Sequence, residues 1–94
     1  MDTDNHQLGL DAARQVLGAD AVKQVEVIDG ADYWYRPAYH FTSLIDLARS
    51  QLQPGLVRTR LIQKLLDDLD ARGDDHLPVI QLLDAADWEK RARA

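Results

Sequence analysis

Five of the chain's six aromatic side chains fall within nine residues: Tyr33, Trp34, Tyr35, Tyr39 and Phe41. Aromatic rings bury the most apolar area per residue, so a cluster this dense dictates where the largest contact surface forms. Read with period two, Tyr33, Tyr35, Pro37, Tyr39 and Phe41 share one face. Trp34, Arg36, Ala38 and His40 share the other. The segment is expected to be an extended ribbon that either nucleates the core or presents the main docking surface.

The flanking pattern supplies its partners. Leu8, Ala12, Ala13, Val16 and Leu17 follow helical spacing, and Gly18 is placed to end that helix. Residues 1–6 are polar and expected to be disordered. Val22, Val25, Val27 and Ile28 mark a β-branched strand. Asp29-Gly30-Ala31-Asp32 suits a tight turn, so 22–41 reads as an antiparallel hairpin. Pro37 cannot donate to a ladder, which points to an edge position or a bulge.

Beyond the aromatics, Ser43 and Asp46 stand at capping-box spacing, predicting a helix over 43–52. Pro54-Gly55 breaks it. A longer helix is expected over 56–71, with Val57, Leu61, Ile62, Leu65, Leu66 and Leu69 on one stripe and Gly73 as its stop. His76 to Leu83 reads as a short buried strand, and Asp84 with Asp87 caps a final helix through Trp88. The expected order is αββααβα: one α+β domain over 1–94, with a small three-stranded, largely antiparallel sheet packed against about four helices. Which hairpin strand the third strand joins is left open.

Charge and composition limit the function. The formal charge is −5, and the acids are almost all aspartate. A net negative chain repels polyanions at long range, which argues against nucleic acid as the default partner. The charges are segregated, however. Arg49, Arg58, Arg60 and Lys64 occupy 47–66 without an acid, and 67–75 holds Asp67, Asp68, Asp70, Asp74 and Asp75 with one base, Arg72. Cysteine is absent, which excludes disulfides and thiolate sites and suits a reducing compartment. No signal-like leader and no apolar run of about 18 residues is visible, so the expectation is a soluble, cytoplasmic protein of bacterial type.

No residue constellation announces catalysis. Asp68-x-Asp70-x-Arg72-Gly73 copies the opening of an EF-hand loop, but Arg72 fills a liganding position and Val79 replaces the closing glutamate. His6, His40 and His76 lack ligand spacing; His76 beside Asp74 and Asp75 is the best metal candidate, and neither metal nor cofactor is expected. Ser43 near His40 and Asp46 is better explained as a helix cap than as a nucleophile.

The sequence therefore reads as a small accessory or regulatory protein that binds another protein or pairs with itself as a homodimer. Trp34, Tyr35, Arg36 and Tyr39 are the expected anchors, since tyrosine, tryptophan and arginine dominate interface hot spots. Arg58 and Arg60 are the expected steering charges. Two alternatives compete with it. One is a DNA-binding regulator using helices 43–52 and 56–71, with Arg58, Arg60 and Lys64 on phosphates. The other is a small enzyme without a recognisable motif.

Overall fold

The computed structural model describes the backbone of residues 2–31 and 34–93 and the side chains of 5–31 and 34–91. In order come α1 (Asp2–Leu17), β1 (Val22–Ala31), β2 (Pro37–Ile45), α2 (Pro54–Ala71), β3 (Leu77–Leu83) and α3 (Ala85–Arg93). The class is α+β, with three α-helices among the described residues and a sheet of order β1-β2-β3.

One feature of the sheet corrects the expectation. β1 and β2 are antiparallel, but β3 lies parallel to β2, so the sheet is mixed. A parallel neighbour requires a crossover, and α2 supplies it by returning the chain to the starting end of β2. The order is thus αββαβα, one helix fewer than expected.

The missing helix is 43–52. Ser43, Leu44 and Ile45 instead finish β2, which pairs Ser43 with Val25 on one side and Leu82 on the other. Ladders on both edges satisfy more backbone groups than a two-turn helix could, and the strand's alternation places Ser43 and Ile45 in the core. Asp46 still caps, accepting from the Ala48 amide at 3.1 Å, but only the 3-10 turn Leu47–Arg49 follows. A helix-turn-helix built on 43–52 therefore lacks its first helix.

The hairpin also turns later than Asp29-Gly30. β1 runs on to Ala31, with Val27 opposite Phe41, Ile28 opposite His40 and Ala31 opposite Pro37. A turn centred on Gly30-Ala31 would have set Pro37 against Gln24, deleting a bond in mid-ladder. The observed register makes Pro37 the first residue of β2, where its missing N–H costs nothing, even though β2 is the central strand. Of the aromatic window, only Tyr39 and Phe41 lie on a strand; Trp34, Tyr35 and Arg36 fall in the connection. Tyr33 lies outside the described residues.

Helices α1 and α2 cover one face. Val57, Leu61, Leu65 and Leu69 recur every four residues on α2 and are all buried, each side chain contributing about 2 kcal/mol by removal from water. They meet Ala12, Ala13 and Leu17 of α1 over Val25, Phe41, Ile45 and Ile80 of the sheet. Gly9 lets α1 sit close: a Cβ there would lie 2.7 Å from Cδ1 of Phe41 and 3.2 Å from Cγ1 of Val25. The helix starts at Asp2, inside the stretch expected to be disordered, and Asn5 is buried. An ion-dipole contact explains that order, since Arg72 donates from the end of α2 to Oδ1 of Asn5. Met1 lies outside the described residues.

α3 takes the opposite face. Its Arg91 pairs with Glu26, which alternates on β1 with the inward-facing Val25 and Val27, and the same guanidinium lies 4.7 Å from the centroid of Trp88. The same face carries the exposed Ile28 and Val79. No helix of the described residues is long and apolar enough to cross a membrane.

Candidate functional site

The β1–β2 connection carries the first candidate surface. Trp34 is 68% exposed and Tyr35 92% exposed, and Arg36 is exposed beside them. Tyr35 has φ 63°, the sole non-glycine residue at positive φ among those described. For an L-residue with a bulky side chain this left-handed conformation costs about 1–2 kcal/mol, because Cβ crowds the following carbonyl. Its ring gains no burial in return. At the same end of the sheet, on the face opposite α1 and α2, exposed Ile28 and Val79 flank His40 in one cross-strand row.

Tyr39 does not belong to that surface. It is only 7% exposed and faces the covered side, where it anchors a polar knot that ties α1, β1, β2 and the α2–β3 connection together. The knot is delivered by the end of α2. Gly73 takes φ 73°, its amide bonds the Asp70 carbonyl at 3.0 Å, and the Asp74 amide reaches back to the Leu69 carbonyl at 2.9 Å. This six-to-one, five-to-two pattern turns the chain sharply after the helix and aims Asp74 inward. Asp74 Oδ2 accepts from the Tyr39 hydroxyl at 2.7 Å and from Nη2 of Arg72 at 3.2 Å. Asp74 Oδ1 accepts from the His76 amide at 3.0 Å and contacts His76 Nδ1 at 2.6 Å. The imidazole stacks on Tyr39, centroids 4.1 Å apart and planes within 5°, and its Nε2 lies 3.5 Å from Asp29 on β1.

The electrostatics follow from this packing. Burial alone would raise the Asp74 pKa, but the His76 amide, the Tyr39 hydroxyl and the His76 ring outweigh it and hold the carboxyl well below the usual carboxylate range. Burial pushes the Tyr39 phenol up, and the hydrogen bond to Asp74 and its negative charge add to this. Tyr39 thus stays a neutral donor. Asp74, Asp75 and His76 could in principle offer three ligand atoms within 4.8 Å of one another. Four protein donors already surround Asp74, however, about the number its lone pairs can serve, and one of them is the Arg72 cation. The donor set fits an internal brace better than a cation.

The basic residues on α2 are split. Arg58 donates to the Ile80 carbonyl at 3.0 Å, closing part of the exposed edge strand β3, and so is not a free steering charge. Lys64 pairs with Asp68 at 3.0 Å across one helical turn. Asp68 therefore lies in a continuous helix, not a cation loop. Arg60 is exposed. The structure brings Trp34, Tyr35 and Arg36 together and leaves Tyr39, Arg58 and Arg60 elsewhere.

Sequence reasoning missed the Asn5–Arg72–Asp74–Tyr39–His76 knot. Its one local signal was Gly73 directly before Asp74, a helix stop followed by a residue suited to reach back. No protein-family model, curated protein or solved structure matches this chain.

Proposed function

We propose that this chain works by binding another protein through the β1–β2 connection, with Trp34 and Tyr35 as anchors and Arg36 as a charged neighbour. The observation that carries the reading is Tyr35, an almost fully exposed aromatic held at φ 63°. Glycine would occupy that conformation without strain. Backbone strain at a residue whose ring contributes nothing to the core is typical of positions kept for contact with something outside the fold. Trp34 adds a second large exposed ring, and a Trp-Tyr-Arg triplet has the composition of an interface centre.

The test compares the wild-type chain with a Trp34→Ala, Tyr35→Gly double variant. Both are immobilised, exposed to lysate from the native cells, and the recovered proteins are quantified by mass spectrometry. Sedimentation velocity of each chain reports self-pairing in parallel. Tyr35→Gly on its own should melt no lower than wild type, because glycine relieves the strain, and the double variant should stay folded. It should lose at least tenfold of a specific captured protein, or lose a dimer that the wild type forms. Equal capture and equal sedimentation by both chains would refute the reading.

A further inference from the structure

We propose that the crevice at the carboxyl ends of β2 and β3 binds a small apolar cation, of the class of alkyl- or arylalkyl-ammonium ions. The argument begins with topology. β2 leads toward α2 on the face that α1 also covers, whereas β3 leads into α3 on the opposite face. Two adjacent parallel strands whose following helices diverge to opposite sides leave a gap beyond their carboxyl ends. Open sheets hold their ligands at such switch points.

A groove of about 760 Å³ lies there. That volume is within the range of about 300–1,000 Å³ usual for small-molecule sites. Its walls are apolar: Leu44 and Ile45 from β2, Leu82 and Leu83 from β3, and Val57 from α2. Leu47, also in the wall, is 46% exposed, although a leucine on a 3-10 turn gains nothing from solvent.

The charges select the ligand. Three carboxylates, Asp46, Asp84 and Asp87, line the groove against one ammonium, Lys23. Arg49 lies 3.6 Å from Asp46 and offsets it. Asp84 spends one oxygen on the Asp87 amide, at 2.8 Å, and keeps its charge. The Asp87 carboxylate has no partner among the described residues. Asp87 is exposed, so it draws a cation with the modest pull of a solvated carboxylate, and the apolar wall beside it supplies the rest of the contact. An apolar body with one ammonium group matches both parts of the lining.

The experiment titrates the full chain with hexylammonium, hexanoate and hexanol, three probes of one length and different charge. Amide resonances of Leu44, Leu83 and Ala85 are followed by two-dimensional NMR. Hexylammonium should shift them saturably, at least fivefold more tightly than either other probe. Asp87→Asn should cut that preference threefold or more. The substitution leaves the fold alone, because the helix cap uses the Asp87 backbone amide and not its side chain. Leu47→Ala should weaken hexylammonium and hexanol alike while preserving their ratio. Absence of a saturable shift, equal or tighter binding of hexanol or hexanoate, or an unchanged preference in Asp87→Asn each overturns the proposal.

Discussion

Replacing Gly9 by alanine pits two effects of opposite sign against each other, and the geometry decides between them. In a helix interior the exchange gains about 1 kcal/mol of propensity. At Gly9, however, the new methyl would sit 2.7 Å and 2.9 Å from two ring atoms of Phe41. The ring cannot yield cheaply. It is buried on the central strand and stands edge-on to Tyr39, with centroids 6.3 Å apart. Overpacking of this kind costs about 1–3 kcal/mol, and contacts this short belong at its upper end. The net expectation is a loss of about 2 kcal/mol, or a urea midpoint lower by about 2 M for a slope near 1 kcal/mol/M. Gly55 serves as the control within the other long helix, since a Cβ there meets nothing within 4 Å. Gly55→Ala should gain about 0.5 kcal/mol, largely through the unfolded chain. Both are read by urea denaturation followed by circular dichroism. If Gly9→Ala is as stable as wild type, or if the two variants shift in the same direction, α1 is not seated on Phe41 as described.

Asp74→Asn should destabilise the fold by about 2 kcal/mol at neutral pH, because it removes the anion to which four donors point. The folded-state pKa of Asp74 is depressed, so on acidification the unfolded chain takes up this proton first. The contribution is whole above about pH 5 and fades as the medium is acidified through the ordinary Asp value of about 3.9. The gap in melting temperature between wild type and Asp74→Asn should therefore narrow from pH 7 to pH 3; a constant gap counts against the knot. Arg58→Ala should cost about 1 kcal/mol by leaving the Ile80 carbonyl without its donor. It should also raise self-association at β3, seen as increased light scattering at high concentration; unchanged scattering and stability would show that the contact does nothing.

Much of this architecture could be read from residues whose local preferences and tertiary roles agree. Leu17 before Gly18, Gly73 ending α2 and Asp84 capping α3 all act where their chemistry placed them, whereas Pro54, read as a break before a helix at 56, is that helix's first residue, where its missing N–H is no loss. Ser43 is the opposite case. Its spacing from Asp46 satisfies a helix cap, yet pairing with Val25 and Leu82 on both flanks outweighs that local option, and neither partner adjoins it in sequence. The position of the turn failed for the same reason. Asp29-Gly30 is a good hairpin signal, but the register is set by Val27 against Phe41 and by where Pro37 can be tolerated. The candidate surface was half visible. Trp34, Tyr35 and Arg36 share the connection, while Tyr39, equally aromatic, is drawn inward by Asp74, which lies 35 residues further along.

The parallel pairing of β2 with β3 also bears on how the protein is made. As the chain is synthesised, α1, β1 and β2 emerge first, and one flank of β2 has no neighbour until Leu77–Leu83 arrives. The intervening stretch of about 30 residues takes about 2–6 s to translate at 5–20 residues per second. For that interval a nascent chain offers an unpaired strand to any other chain on the same message. Slower translation between the codons for Ile45 and Leu77 should lengthen that exposure, whereas the finished protein has already closed it.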